Sequence, residues 1–158
     1  MLFGMQLVAQ VGFSQEDKFG ADPEECKKNI SLYREFRDQK NYKDAFGPWQ
    51  KACELCPKAA KTLYTDGVNF YKDKIKNATD DAQKAEFAEA MFKVYDARIE
   101  HFGQRGYVLG RKGADMLRYK SDAPDEALAV LKESLDLQKE ESEAGALGGY
   151  YTALYYTY

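Results

Sequence analysis

Along this chain, small and aromatic residues recur at helical spacing. The clearest stretch is Asn41 to Pro57, NYKDAFGPWQKACELCP. Tyr42, Ala45, Trp49 and Ala52 follow one another at steps of three, four and three. That spacing lines side chains along one face of a helix. The small alanines admit a close neighbour, and Trp49 fills the space between helices. Pro57 ends the segment because it has no N–H to continue the ladder. Asn41 is placed to cap the helix, with Asp44 three residues later in the manner of a capping box. Pro48 lies inside it and removes one hydrogen bond, at about 3 kcal/mol in an ideal helix, which predicts a bend.

The same pattern organises the rest of the chain. Asp22 as N-cap, Pro23 at the first helical position and Glu24 and Glu25 near the positive helix end predict a helix over Pro23–Gln39. A second unit spans Ala60 to Phe102. Its first helix carries Leu63, Gly67 and Phe70, and its second carries Phe87, Ala90, Val94 and Ala97, joined by the polar turn NATDD. A third unit opens at Gly106, with Leu109, Gly113 and Met116 on its first helix. After Ser121 and Asp122 its second helix places Ala127, Leu131 and Ser134 where Ala45, Trp49 and Ala52 stand. A fourth unit opens at Leu147 with LGGYY and reaches Tyr158 after one helix. That last stretch is apolar and uncapped, as expected if the chain is cut from a longer protein or if this face self-associates.

Aromatic, Ala, aromatic, Ala and Pro at these offsets, together with LGGYY, resemble the tetratricopeptide repeat (TPR) family. The resemblance covers Cys26 to Tyr158. Leu32 and Phe36 fit the first unit; Tyr33 is bulky where the family is small, and Asn29 departs from the pattern. The second unit is roughly eleven residues longer than the usual 34, close to three helical turns, so both helices can lengthen without rotating their buried faces. The resemblance implies an all-α, right-handed solenoid of antiparallel helix pairs over residues 22–158, about three and a half units. FGADPEECKKNISLYREF and GYVLGRKGADMLRY look, more narrowly, like exported TPR proteins of Gram-negative gut bacteria. Those are envelope scaffolds, which implies a periplasmic or outer-membrane-associated location.

Composition suits this picture. The chain has 158 residues, 44% hydrophobic and 31% charged, with 12 Tyr and 9 Phe against one Trp, so its interior is aromatic-rich. A net charge of −3 gives no bulk attraction to nucleic acid. Residues 1–14, MLFGMQLVAQVGFS, carry no charge and read as the end of a signal peptide, with Gly12 and Ser14 as the small residues before a cleavage at Gln15. The basic n-region is missing, and the alternative is a short buried helix. Residues 15–21 are a polar lead-in.

No set of residues points to catalysis, a cofactor or a metal. His101 is the only histidine, too few for a nucleophile–His–acid set or a zinc site with Cys53 and Cys56. That C-x-x-C closes a helix instead of opening one, so the dipole does not activate it. Both cysteines read as small packing residues. In an oxidising compartment Cys26 can pair with either, leaving one thiol over. GQRGYVLGRKG lacks the phosphate-loop ending and follows no strand.

A non-enzymatic function in binding protein or peptide remains. The family resemblance implies a concave groove lined by the first helix of each unit. Lys27, Ile30, Arg34, Arg37 and Asp38 fall there in the first unit, and Lys61, Tyr64, Val68, Tyr71 and Lys72 in the second. Tyr107, Gly110, Ala114, Leu117 and Arg118, with Arg111 alongside, fall there in the third. Such a groove is basic and aromatic, and Arg and Tyr are frequent binding hot spots. The expected binding residues are Lys27, Arg34, Arg37, Lys61, Tyr64, Tyr71, Arg111 and Arg118, and the expected partner is an acidic or C-terminal peptide. Ile30 and Arg34 stand where chaperone-binding members carry Lys and Asn, so that specificity is not implied. Two further expectations are self-association through the aromatic C-terminal helix and membership of a larger exported receptor for a glycan or other ligand.

Overall fold

A computed structural model describes residues 18–158. The expected leader, residues 1–14, and residues 15–17 of the lead-in lie outside the described residues. Among the described residues the protein is all-α, with no strand. Seven α-helices lie wholly within the described residues: α1 (Pro23–Asp38), α2 (Tyr42–Leu55), α3 (Thr62–Asn77), α4 (Asp81–Phe102), α5 (Arg105–Tyr119), α6 (Pro124–Gln138) and α7 (Ala144–Thr157). A 3₁₀ turn over Lys139–Glu141 joins the last two. Each helix packs on the next, and α5 also meets α7. No described helix is long and apolar enough to cross a membrane.

Local chemistry sets the helix ends. The Glu25 N–H donates to the Asp22 carboxylate at 3.0 Å, and the Gln83 N–H to Asp80 at 2.8 Å. Asn41 accepts from the Asp44 N–H at the start of α2, and that helix continues through Pro48. Gly103, with a φ of 69°, ends α4 in a backbone conformation that glycine adopts without strain.

Trp49 is the centre of the first core. It is 4% exposed, and its indole N–H donates to the Leu63 carbonyl at 2.7 Å. Phe46, Phe70 and Tyr71 surround it with ring centroids at 5.2, 5.7 and 5.9 Å. Gly67 lies against the indole so closely that a Cβ there would collide with it. Gly113 repeats the device against Leu131, around which Ala146 and Ala153 build a smaller second core. Close approach of helices, and not backbone freedom, is what these two glycines supply.

The cysteine pairing left open by the sequence is Cys26 with Cys56, their Cα atoms 6.0 Å apart. The bond fastens the start of α1 to the residue after α2. Cys53 remains a free, half-buried thiol; burial and the neighbouring Glu54 charge push it up to about 12. At neutral pH it is therefore not a nucleophile.

Three expectations about buried faces need correction. Leu32 is 36% exposed, while Cys26, Asn29, Ile30 and Tyr33 form the buried stripe of α1. Tyr33 fits inside because its hydroxyl reaches the Asp66 carboxylate at 3.3 Å, and Asn29 because its amide donates to the Glu25 carbonyl at 2.8 Å. On α4 Val94 is buried as expected, and Phe87 and Ala97 pack partly buried on the core, but the buried face extends beyond that stripe through Ala88, Met91, Phe92, Tyr95 and Arg98. That helix is covered on two sides, so its face is wider than one stripe. On α7, Leu147 and Tyr151 are exposed and Gly148 has open space beside it, while Ala146, Gly149 and Ala153 face the core. The match of LGGYY to the repeat pattern does not give the packed register.

Candidate functional site

Three helices enclose a hollow of about 250 Å³. Tyr64, Val68, Asn69 and Lys72 line it from α3, Tyr107 and Arg111 from α5, and Tyr95 and Arg98 from α4. It shares Lys72, Tyr95 and Arg111 with a second hollow of about 460 Å³ that extends to the start of α7. A third, about 570 Å³, shares Asn69 and Lys72 with the first and reaches Tyr42, Arg118 and Tyr119. Sharing these walls, the three make one trough along α3 and α5.

The trough is organised around Asp115 and Tyr107. The Tyr95 hydroxyl donates to Asp115 Oδ2 at 2.7 Å, and Lys72 Nζ lies 2.8 Å from the same oxygen. Burial, with the Asp115 charge and hydrogen bond behind it, pushes the Tyr95 hydroxyl well above the usual phenol range. Tyr95 is thus a neutral donor at any ordinary pH. The Tyr107 ring lies near two guanidinium groups, Arg111 at 4.8 Å and Arg98 at 5.3 Å from its centroid. Arg111 also meets Glu143 of the α6–α7 connection at 3.4 Å, an exposed pair of little energetic weight. Arg98 is 8% exposed, and its Nε is the one buried side-chain nitrogen or oxygen among the described residues without a hydrogen-bond partner.

A tyrosine, a cation and an aspartate also meet between α1 and α3. There Arg37 Nη1 lies 2.7 Å from Asp66 Oδ2, the oxygen that Tyr33 reaches. The two triads, Tyr33–Arg37–Asp66 and Tyr95–Lys72–Asp115, each satisfy a buried carboxylate between helices.

Of the eight residues expected to bind a partner, the trough brings together Tyr64, Arg111 and Arg118. Tyr64 is largely buried, donates its hydroxyl to the Pro57 carbonyl at 2.8 Å and packs on His101 and Phe102. Arg118 is exposed beside Tyr119, with no ion pair among the described residues. The other five lie outside the trough. Tyr71 enters a hollow on the α2–α4 side with Trp49 and Cys53. Lys27 is exposed near Glu24 and Phe19, and Lys61 is bonded to Gln104. Arg34 reaches Thr62, and Arg37 is held by Asp66 and Asp38. Neither arginine is fully exposed, because α3 covers part of this face of α1.

Sequence reasoning missed Tyr95, Arg98 and Asp115 as parts of this site. For Arg98 a signal existed. It continues the Ala88–Met91–Tyr95 stripe at helical spacing, and an arginine in an apolar stripe marks a buried charge that needs a partner. Asp115 gave none, since its partners come from α3 and α4, far away in sequence. The chain matches no known protein family, and no curated protein is similar to it.

Proposed function

We propose that the seven helices form a TPR-like right-handed solenoid of antiparallel pairs. Its trough binds an acidic or C-terminal peptide of a protein partner. The observation that carries this reading is the trough itself. Lys72, Arg98, Arg111 and Arg118 gather along α3, α4 and α5 beside Tyr64, Tyr95 and Tyr107, on a chain whose net charge is −3. Arginine holds carboxylates with paired hydrogen bonds, and tyrosine gives rigid contact area at low entropy cost. Packing of each helix on the next and the recurring glycine contacts at Trp49 and Leu131 support the repeat architecture. The protein acts as a scaffold and not as an enzyme. The Cys26–Cys56 bond supports an exported location, because such bonds persist in oxidising compartments. In this reading the chain works at the periplasm or outer membrane.

The test is a pair of charge reversals measured against one acidic peptide. Arg118→Glu, inside the trough, weakens binding; Lys27→Glu, outside it, leaves binding unchanged. Equal effects of the two would place the partner elsewhere. A second reading is favoured by one hollow. Tyr42, Phe46 and Phe87 with Asp73, Asn77 and Gln83 line about 420 Å³ between α2, α3 and α4. Aromatic rings beside amide, carboxylate and ammonium groups suit a sugar, as in a receptor segment for a glycan; Lys74 stands over the Phe46 and Phe87 rings at 4.1 and 5.1 Å. Binding of oligosaccharides that Phe87→Ala abolishes would favour it.

A further inference from the structure

Arg98 is the least explained charge in the described structure. A guanidinium taken out of water is costly unless it is hydrogen-bonded or paired. The nearby Tyr107 ring offers its π face but no oxygen lone pair. No carboxylate among the described residues forms an ion pair with Arg98, and its Nε stays buried without an acceptor. Yet Arg98 lines a hollow open enough to admit a ligand.

The composition of that hollow says what kind. Lys72, Arg98 and Arg111 line it, and no carboxylate does. In the adjoining hollow Asp115 and Glu143 engage Lys72 and Arg111. Three cations against two carboxylates leave one positive charge, which suits a monoanion better than a phosphate dianion. The tyrosines and Val68 provide apolar walls for the carbon skeleton behind the charge. About 250 Å³ is below the usual range for a whole drug-sized ligand but has room for one end of a chain.

We propose that Arg98, with Arg111 and Lys72, forms a carboxylate-binding site in the hollow between α3, α4 and α5, filled by the terminal carboxylate of a bound peptide. This rests on the peptide reading of the trough and names which chemical group the trough selects. Arg98 is the anchor. Its Nε–H is closed to water and has no acceptor, so a shift of the guanidinium toward the hollow lets a carboxylate oxygen take a charge-assisted hydrogen bond from it. Arg111, near the mouth, exchanges its weak contact with Glu143 for the incoming group.

The experiment follows the Nε–Hε signals of the full chain labelled with ¹⁵N in arginine, the Arg98 signal being the one lost in Arg98→Lys. Acetate, a short N-acetylated alanine peptide with a free C-terminus, and the same peptide as its C-terminal amide are titrated in turn. The free peptide moves the Arg98 signal saturably and binds more tightly than acetate, while the amide leaves the signal in place. Arg98→Met, with native helicity, weakens binding of the free peptide roughly tenfold to a hundredfold. If that variant does not fold, the wild-type titration alone decides. An Arg98 signal unmoved by both acids overturns the site, and amide and acid binding equally well would do so while the peptide trough survives. Acetate binding as tightly as the peptide supports a carboxylate site but overturns the peptide as its source, pointing to a free carboxylic acid.

Discussion

Replacing Trp49 with alanine removes the side chain on which α2 and α3 close. A buried tryptophan covers roughly 150–250 Å², worth about 4–6 kcal/mol at ~25 cal/mol per Å². Partial collapse of neighbours and a compact denatured chain reduce this, so a loss of about 3–5 kcal/mol is expected. The Leu63 carbonyl also loses its donor, and roughly 1 kcal/mol of the loss belongs to that. Gly67 tests the same contact from the opposite side. In the wild type, Gly67→Ala drives a methyl into the indole, which is held by its own hydrogen bond and cannot swing aside. Overpacking of ~1–3 kcal/mol then exceeds the ~1 kcal/mol that alanine gains in helix propensity. In a Trp49→Phe background the colliding six-membered ring of the indole is gone, so the same Gly67→Ala costs little or stabilises. The swing between backgrounds is about 2 kcal/mol. Urea unfolding followed by circular dichroism on the wild type and the four variants measures it. Trp49→Ala unfolding with the wild-type midpoint, or Gly67→Ala costing the same in both backgrounds, would refute this packing.

Two further perturbations test the frame. Reduction of the Cys26–Cys56 bond lowers stability by about 2–4 kcal/mol, seen as a drop in Tm on adding reductant, while Cys53 stays unreactive to thiol reagents until the chain unfolds. Arg37→Glu sets a second carboxylate against Asp66 and destabilises the α1–α3 contact by about 2–3 kcal/mol, less than a fully buried pair because Arg37 keeps some solvent, whereas Arg118→Glu leaves thermal unfolding unchanged.

The helices were legible because their signals are local. Asp22–Pro23 and Asn41 cap where side-chain chemistry demands, and Leu63–Gly67–Phe70 and Leu109–Gly113–Met116 face inward as their spacing predicts. The full buried face of α4 and the register of α7 were not. Both carry small and aromatic residues on more than one face, and only the neighbouring helices decide which face is covered. The same limit applied to the site. Lysines and arginines at helical spacing all looked available, but Arg37 and Lys72 are held by Asp66 and Asp115, which lie on the following helix of the same kind. Tyr33, bulky where the repeat pattern is small, proved the tyrosine of the first triad. Departures from the repeat pattern at Tyr33 and Asn29 thus marked polar contacts inside the core.

In the function proposed above, the trough along α3 and α5 takes an acidic or C-terminal peptide. The most direct measurement is calorimetric titration of the full chain with a peptide selected from a display library with free C-termini, at low and at high salt. The expected result is an acidic or free-ended peptide whose affinity falls as salt rises from ~0.05 to ~0.5 M, since screening shortens the reach of the exposed arginines. Arg118→Glu weakens this binding while helicity is retained. Failure to select any peptide, or binding indifferent to both salt and Arg118→Glu, would contradict it.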